Sequence, residues 1–232
     1  MARYEIAGLQ VDMEASGRTQ RQAAAYAAPA SGQPDVVLRC DIQWLLRHNP
    51  RLSDPELAEY LGLGTLFARE LLRHQGFQLH ASAVILGGKA YLFSAPCGMG
   101  KSTHTEKWVR LFGARYLNDD KPALRRIDGV WTAFGTPWSG KHDLSSPVGV
   151  PLGGIAFLQR GDENRIVPIS PKQALPWLMS QTVSALPKQK LELLLPLVDD
   201  LLRSVPLWQL HCLNNDEAAR VSYAAMTQTT DF

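Results

Sequence analysis

The residues Ala95-Pro96-Cys97-Gly98-Met99-Gly100-Lys101-Ser102 have the types and spacing of a phosphate-binding loop, with Ala in place of the first glycine. Gly98 and Gly100 permit backbone angles that aim successive N–H groups into one concavity. A helix that starts there points its positive end at the same spot. Lys101 adds a mobile cation for the β- and γ-phosphates, and Ser102 or Thr103 supplies a hydroxyl for Mg²⁺. Pro96, Cys97 and Met99 complete the loop. Cys97 sits at a helix N-terminus, which favours a thiolate, but a small side chain tolerated in the loop explains it as well.

A pair of carboxylates, Asp119-Asp120, follows 18 residues after Lys101. A helix of about 12 residues carries the chain roughly 18 Å away from the loop. A strand of about 5 residues then brings it back roughly 16 Å. The aspartates thus return to the level of the phosphates. One can hold Mg²⁺, for which Asp120 and Ser102 are the named candidates, and the other can accept the proton of an attacking hydroxyl. Adjacent side chains on a strand point to opposite faces, so the roles divide naturally. Taken alone, Asp-Asp-Lys-Pro is more often a solvated turn.

Two further candidates are His80 and Lys141. His80 precedes a hairpin whose second strand leads into the loop, so its imidazole can bond a phosphate oxygen or orient an aspartate. A histidine satisfied within the sheet is the bland alternative. Lys141 ends Gly135-Thr-Pro-Trp-Ser-Gly-Lys141, a glycine-rich turn that can bring a second cation to a transferring phosphoryl group. Trp138 in that turn can wall the site and exclude water. A surface turn with a solvated lysine fits the same residues. His142, Asp143, Arg160 and Arg165 are weaker candidates. Asp199-Asp200 sits in a helical apolar pattern that continues through Leu201 and Leu202, which makes them carboxylates on an exposed helix face.

The elements that must position these residues are legible in outline. Tyr4 to Val11 reads as a strand, residues 15–33 as loop or weak helix, and Pro34 to Cys40 as a short strand. Asp54 caps a helix with Pro55 at its first position, and a second helical pattern runs from Thr65 to Gln75. Phe77 to Leu86 is one strand, Gly87-Gly88 a two-residue turn, and Lys89 to Ser94 the return strand. A helix from Lys101 to Phe112 stops at Gly113. Strands follow over 114–118, 123–127, 130–135, 152–159 and 165–169. Pro171 to Thr182 and Leu186 to Ser204 are amphipathic helices, Pro206 to Cys212 a strand, and Asn215 to Met226 a final helix.

Composition narrows the class. The chain has 232 residues, 45% of them apolar and 20% charged, which excludes disorder and fibrous repeats. Its 24 basic and 22 acidic residues leave a net charge of +2, so nothing argues for a nucleic-acid or membrane-surface partner. Three widely spaced cysteines suit free thiols in a reducing compartment. No apolar run reaches a membrane span and the first residues do not read as a signal peptide, so the expected location is cytoplasmic.

The set LHASAV, SAPCGMGKST, YLNDDKP and GTPWSGK resembles the HPr kinase/phosphorylase-like family, which shares a fold superfamily with phosphoenolpyruvate carboxykinase. The resemblance covers about residues 76–170 and not residues 1–75. It implies an α/β fold: a mixed-sheet nucleotide-binding core with a P-loop, here joined to a smaller N-terminal α+β region and C-terminal helices. It also implies Mg-dependent phosphoryl transfer to a serine hydroxyl. Lys101 and the loop amides would hold the donor phosphates, Ser102 would bear on Mg²⁺, Asp119 or Asp120 would be the base, and His80 would lie near the reacting phosphate. The GTPWSGK turn looks like that of uncharacterised relatives rather than of true HPr kinases.

The expectation is therefore a kinase using ATP (or another nucleoside triphosphate) and Mg²⁺. Its acceptor would be a hydroxyl, serine of a peptide or protein first and a small molecule second, and it could form a homo-oligomer. Residues 76–232 would form the P-loop domain and residues 1–75 an acceptor-binding or assembly part. A carboxykinase-like decarboxylating enzyme and a non-catalytic nucleotide-sensing module are the remaining alternatives.

Overall fold

A computed structural model describes residues 1–182 and 188–228. Leu186, the expected start of a helix, lies outside the described residues. The N-terminal part opens with an antiparallel hairpin, β1 (Ala2–Ile6) and β2 (Leu9–Met13), and β3 (Val36–Leu38) pairs parallel to β2. The single strand expected over Tyr4 to Val11 is thus two strands. Ala7 and Gly8 both take positive φ, 55° and 70°, and fold the chain back in a two-residue turn.

Helix α1 (Gly17–Ala23) follows β2, and α2 (Ile42–His48) follows β3. Asp41 caps α2 by accepting from the Trp44 amide at 2.8 Å. Helix α3 (Pro55–Leu71) starts as expected, with Asp54 accepting from the Glu56 amide at 2.9 Å. It is one helix through the segment where two were expected. Gly62 and Gly64 do not interrupt it; they let neighbours approach. A Cβ on Gly62 would lie 2.4 Å from Cys40 Sγ, and one on Gly64 2.8 Å from the Trp138 ring.

The main sheet has nine strands and mixed direction. The stretch expected as one strand over Phe77 to Leu86 is divided between β4 (Gly76–Gln78) and β5 (Ala81–Leu86). The backbone changes partners between them. The Leu79 amide donates to Pro122 O, the His80 amide to Gln181 O at 2.8 Å, and the Ala81 amide to Asp120 O at 3.1 Å. Strand β5 turns at Gly87-Gly88 into β6 (Lys89–Ser94), and helix α4 (Lys101–Phe112) ends at Gly113 with φ 68°. Strand β7 (Arg115–Asn118) pairs with β5, β8 (Ala123–Ile127) pairs with β4, and β9 (Val130–Phe134) with β8.

Strand β10 (Gly149–Arg160) curls the sheet. Its first residues pair antiparallel with β9, and from Leu152 it runs parallel to β6. Its second half also runs parallel to β12 (Leu207–Cys212), which carries β11 (Arg165–Pro168) on its far edge. Alternate strand residues then fill two cores. Ile155 and Phe157 face a core shared with α5 (Pro171–Thr182) and α6 (Lys188–Ser204). Ala156 and Leu158 face a core that holds Trp108 of α4 and Ala219 of α7 (Asp216–Thr227). A third cluster joins β1, β2 and α3 to Ala123 and Trp138. No helix among the described residues is long and apolar enough to cross a membrane.

Candidate active site

The loop after β6 opens α4 without a side-chain cap, since the N-cap position is Gly100 with φ 94°. Gly98 takes φ 78°, and a Cβ at either glycine would meet nothing within 4 Å. Backbone angle, not space, is therefore what demands glycine at both positions. An uncapped first turn of a three-turn helix, facing open space, fits an anion such as a polyphosphate. Lys101 is buried and its Nζ donates to Ala95 O at 2.9 Å. Burial pulls the Lys101 ammonium below the usual lysine range; nearby Cys97, Asp120 and Asp119 oppose that shift. Pro96, Cys97, Gly98 and Ser102 are exposed around the loop, while Met99 and Thr103 are half-buried.

The aspartates do divide, and Asn118 sets the division. Its buried side chain accepts from the amides of Asp120 at 3.0 Å and Lys121 at 2.7 Å, and donates to Thr136 O. That Asx turn holds the backbone of the pair in one conformation. Asp119 turns inward, 8% exposed, and accepts from Ser82 Oγ at 2.6 Å. Ser82 Oγ also meets Thr105 Oγ1 of α4 at 2.7 Å, and Thr105 is the donor there because the Ser82 proton goes to Asp119. Asp119 is thereby tied to the first turn of the loop helix.

Asp120 turns outward. Its Oδ1 lies 3.4 Å from His80 Nε2. His80 Nδ1 meets Gln181 Oε1 at 3.0 Å, so the tautomer with the proton on Nδ1 leaves Nε2 as an acceptor beside Asp120. Burial is the main force holding the His80 imidazolium below its usual range; Lys101 adds to it and Asp120 opposes it. His80, Asp120, Lys121 and Gln181 line a cleft of about 350 Å³ with Thr65 of α3. A second cavity, about 340 Å³, opens at the loop itself, lined by Gly98, Gly100, Lys107, Arg160 and Asn214.

The GTPWSGK turn reaches the site through its backbone. Gly140 packs on Asp120, so a Cβ there would lie 3.3 Å from Asp120 Cβ. Lys141 itself is exposed on a single 3-10 turn, Gly140–His142. Trp138 does not wall the cleft. It is 1% exposed, stacks on Phe67 at 5.0 Å and donates to Tyr60 O at 3.0 Å. Its large apolar surface is spent joining α3 to the turn. The N-terminal part then grips Gly140: Arg18 and Gln22 donate to its carbonyl, and its amide donates to the Tyr60 hydroxyl.

Arg160 lines the second cavity and Arg165 lies near Glu163 at 4.0 Å, away from the cleft. Asp199 pairs with Arg203 one turn on, as an exposed helix carboxylate does. Asp200 instead accepts from Arg126 and the Trp131 indole, so it anchors α6 to the sheet. Ser82, Thr105, Lys121 and Gln181 are members of the site that the sequence did not single out. Only Lys121 carried a signal, its adjacency to the aspartates; Gln181 arrives from 101 residues away.

No protein-family model matches the chain, and no curated protein matches it. Among solved structures it is similar to the Hpr(Ser) kinase/phosphatase from Coxiella burnetii, with 12% identity and a TM-score of 0.36, over 65% of this chain and 98% of that one. A likeness of that size transfers no activity.

Proposed function

We propose that this chain is a phosphotransferase: a kinase that moves the γ-phosphoryl group of a nucleoside triphosphate to a hydroxyl, with serine of a peptide or protein as acceptor. The observation that supports it most is the position of Asp120. Its carboxylate stands at a cleft beside His80 and within the electrostatic reach of Lys101.

In this reading the loop amides and Lys101 hold the donor phosphates, and the cavity bearing Arg160 and Asn214 takes the nucleoside. The sequence pointed to Asp120 with Ser102 for Mg²⁺; because Asp119 is the carboxylate tied to the loop helix and Asp120 the one at the cleft, Mg²⁺ here goes to Ser102 and Asp119 instead, where it would supply charge neutralisation on the phosphates. Asp120 accepts the proton of the acceptor hydroxyl, and the unprotonated Nε2 of neutral His80 is placed to accept a hydrogen bond from the carboxyl group once it carries that proton. Lys101, with Lys121 of the cleft lining and Lys141 of the neighbouring turn, offsets charge that develops on the transferring group.

The test is incubation with Mg²⁺ and γ-labelled ATP in a host lysate, separated into peptide and small-molecule fractions, with Lys101→Ala as control. Lys101-dependent label in the peptide fraction supports the proposal. Label in the small-molecule fraction changes the acceptor class. MgATP binding without any transfer or hydrolysis overturns it in favour of a nucleotide sensor.

A further inference from the structure

The cleft at Asp120 does not end at Thr65. The same residue borders a groove of about 400 Å³ between α2 and α3, which includes Trp44, Leu61 and Arg69. Leu61, Thr65 and Arg69 follow at four-residue spacing, so they form one strip on the surface of α3. Among the described residues, no side chain closes the strip. Trp44 is 49% and Leu61 40% exposed. Thr65 turns its hydroxyl back to Leu61 O at 2.8 Å, which commits its donor within the helix.

The groove's charges are unbalanced. Arg69 Nε is buried and has no hydrogen-bond partner, and its guanidinium meets no carboxylate among the described residues. Arg39, at the other end, donates to Met1 Sδ, a weak acceptor. The acidic residue of the lining, Asp41, is occupied as the cap of α2. An unpaired guanidinium fork is a ready carboxylate receptor. An apolar strip flanked by two such groups and running out of a hydroxyl-accepting cleft matches an extended chain with alternating anchors.

We infer that the acceptor is a peptide or protein segment that lies along α3, with its serine at Asp120, an acidic side chain on Arg69 and an apolar side chain between Leu61 and Trp44. One helical turn from Thr65 to Arg69 is about 6 Å. An extended segment covers that turn in about two residues, so the acidic residue falls two or more positions from the serine. The inference deepens the kinase reading, which supplies only the fate of the serine.

The experiment is selection of a displayed peptide library, a fixed serine flanked by six random positions on each side, on the immobilised full-length chain. Lys101→Ala protein without nucleotide is used, so selection does not depend on transfer. The expected result is at least ~3-fold enrichment of Asp or Glu two to four positions to one side of the serine, with an apolar residue on the other side. Arg69→Gln should abolish the acidic enrichment, and Arg69→Glu should turn it into a preference for Lys or Arg. Leu61→Asp should remove the apolar preference alone. Circular dichroism and a melting curve on each variant establish that it is folded. No enrichment on the Lys101→Ala protein, or the same acidic enrichment on folded Arg69→Gln, would overturn the inference. Selected peptides that bind but take no label from MgATP with the Lys101 protein would count against the kinase reading and leave the docking surface standing.

Discussion

Ser82 and Asp119, 37 residues apart, are joined by a 2.6 Å hydrogen bond in which the hydroxyl donates to the carboxylate. Because Ser82 also meets Thr105 of α4, the bond links the end of β7 to the loop helix. Removing the donor leaves a buried carboxylate short of a partner, which costs about 1–3 kcal/mol. Ser82→Ala should lower the melting temperature accordingly. It should reduce the transfer rate by ~10-fold or more while MgATP affinity changes by less than ~3-fold. Calorimetric titration beside a transfer assay checks this, and a variant with wild-type transfer would remove Ser82 from the machinery.

Lys101 and Asp120 should separate binding from chemistry. Lys101→Ala loses a cation aimed into the loop and should weaken nucleotide binding by ~10-fold or more. Asp120→Asn keeps shape and hydrogen-bonding capacity but is no base. It should cut transfer by about 10²–10⁴-fold with nucleotide binding retained. Full turnover by Asp120→Asn would assign the proton to another group.

His80 predicts a pH profile. Its folded-state value is displaced below the ordinary 6.5, chiefly by burial. The unfolded chain therefore binds this proton more tightly than the folded one. The stability that His80 contributes is complete above the ordinary value and is lost as pH falls below it. Activity that needs the neutral imidazole should likewise keep its plateau below pH 6.5 and decline at lower pH. The pH dependence of kcat/KM should lose this acidic limb in His80→Gln; an unchanged limb would place it on another group.

Trp138 and Gly64 should report on the junction between α3 and the turn that carries Gly140. Trp138→Ala empties a fully buried indole site and should cost about 3–5 kcal/mol. Gly64→Ala puts a methyl group 2.8 Å from that indole and should cost about 1–3 kcal/mol by overpacking. Denaturant titration measures both. Because Gly140 packs on Asp120, each variant should also lower kcat at a temperature where it remains folded.

Tyr60 tests the brace on Gly140 more gently. Its phenol, pushed up to about 12 chiefly by burial, stays neutral and accepts from the Gly140 amide at 3.1 Å. Tyr60→Phe removes that acceptor for about 1 kcal/mol. It should shift kcat rather than nucleotide affinity, which paired titration and turnover measurements resolve.

Local chemistry was legible wherever a residue acts on its own neighbours. Gly100 and Gly113 bracket α4, Asp54 with Pro55 starts α3, and Asn215 caps α7, all as their types require. Reading failed where a distant partner overrode the local pattern. The segment after Asp54 reads as two helices, yet it is one, with Cys40 and Trp138 pressed against Gly62 and Gly64 inside it. Phe77 to Leu86 alternates like one strand, yet Pro122, Gln181 and Asp120 take its central amides and split it. Trp138 looks like a site wall because it stands in a glycine-rich turn; Phe67 and Tyr60 bury it instead.

The loop, its lysine, the returning aspartate pair and the histidine ahead of the hairpin were readable from the residues alone. Those signals lie within short stretches whose backbone geometry follows from glycine, helix length and strand length. Which aspartate turns inward, that Ser82 and Thr105 hold it, and that Gln181 and Asp120 flank His80 emerge from the folded chain. It alone also placed α3 beside the cleft. Each of those contacts spans tens of residues, and a long-range contact leaves no periodicity or spacing in the chain that makes it.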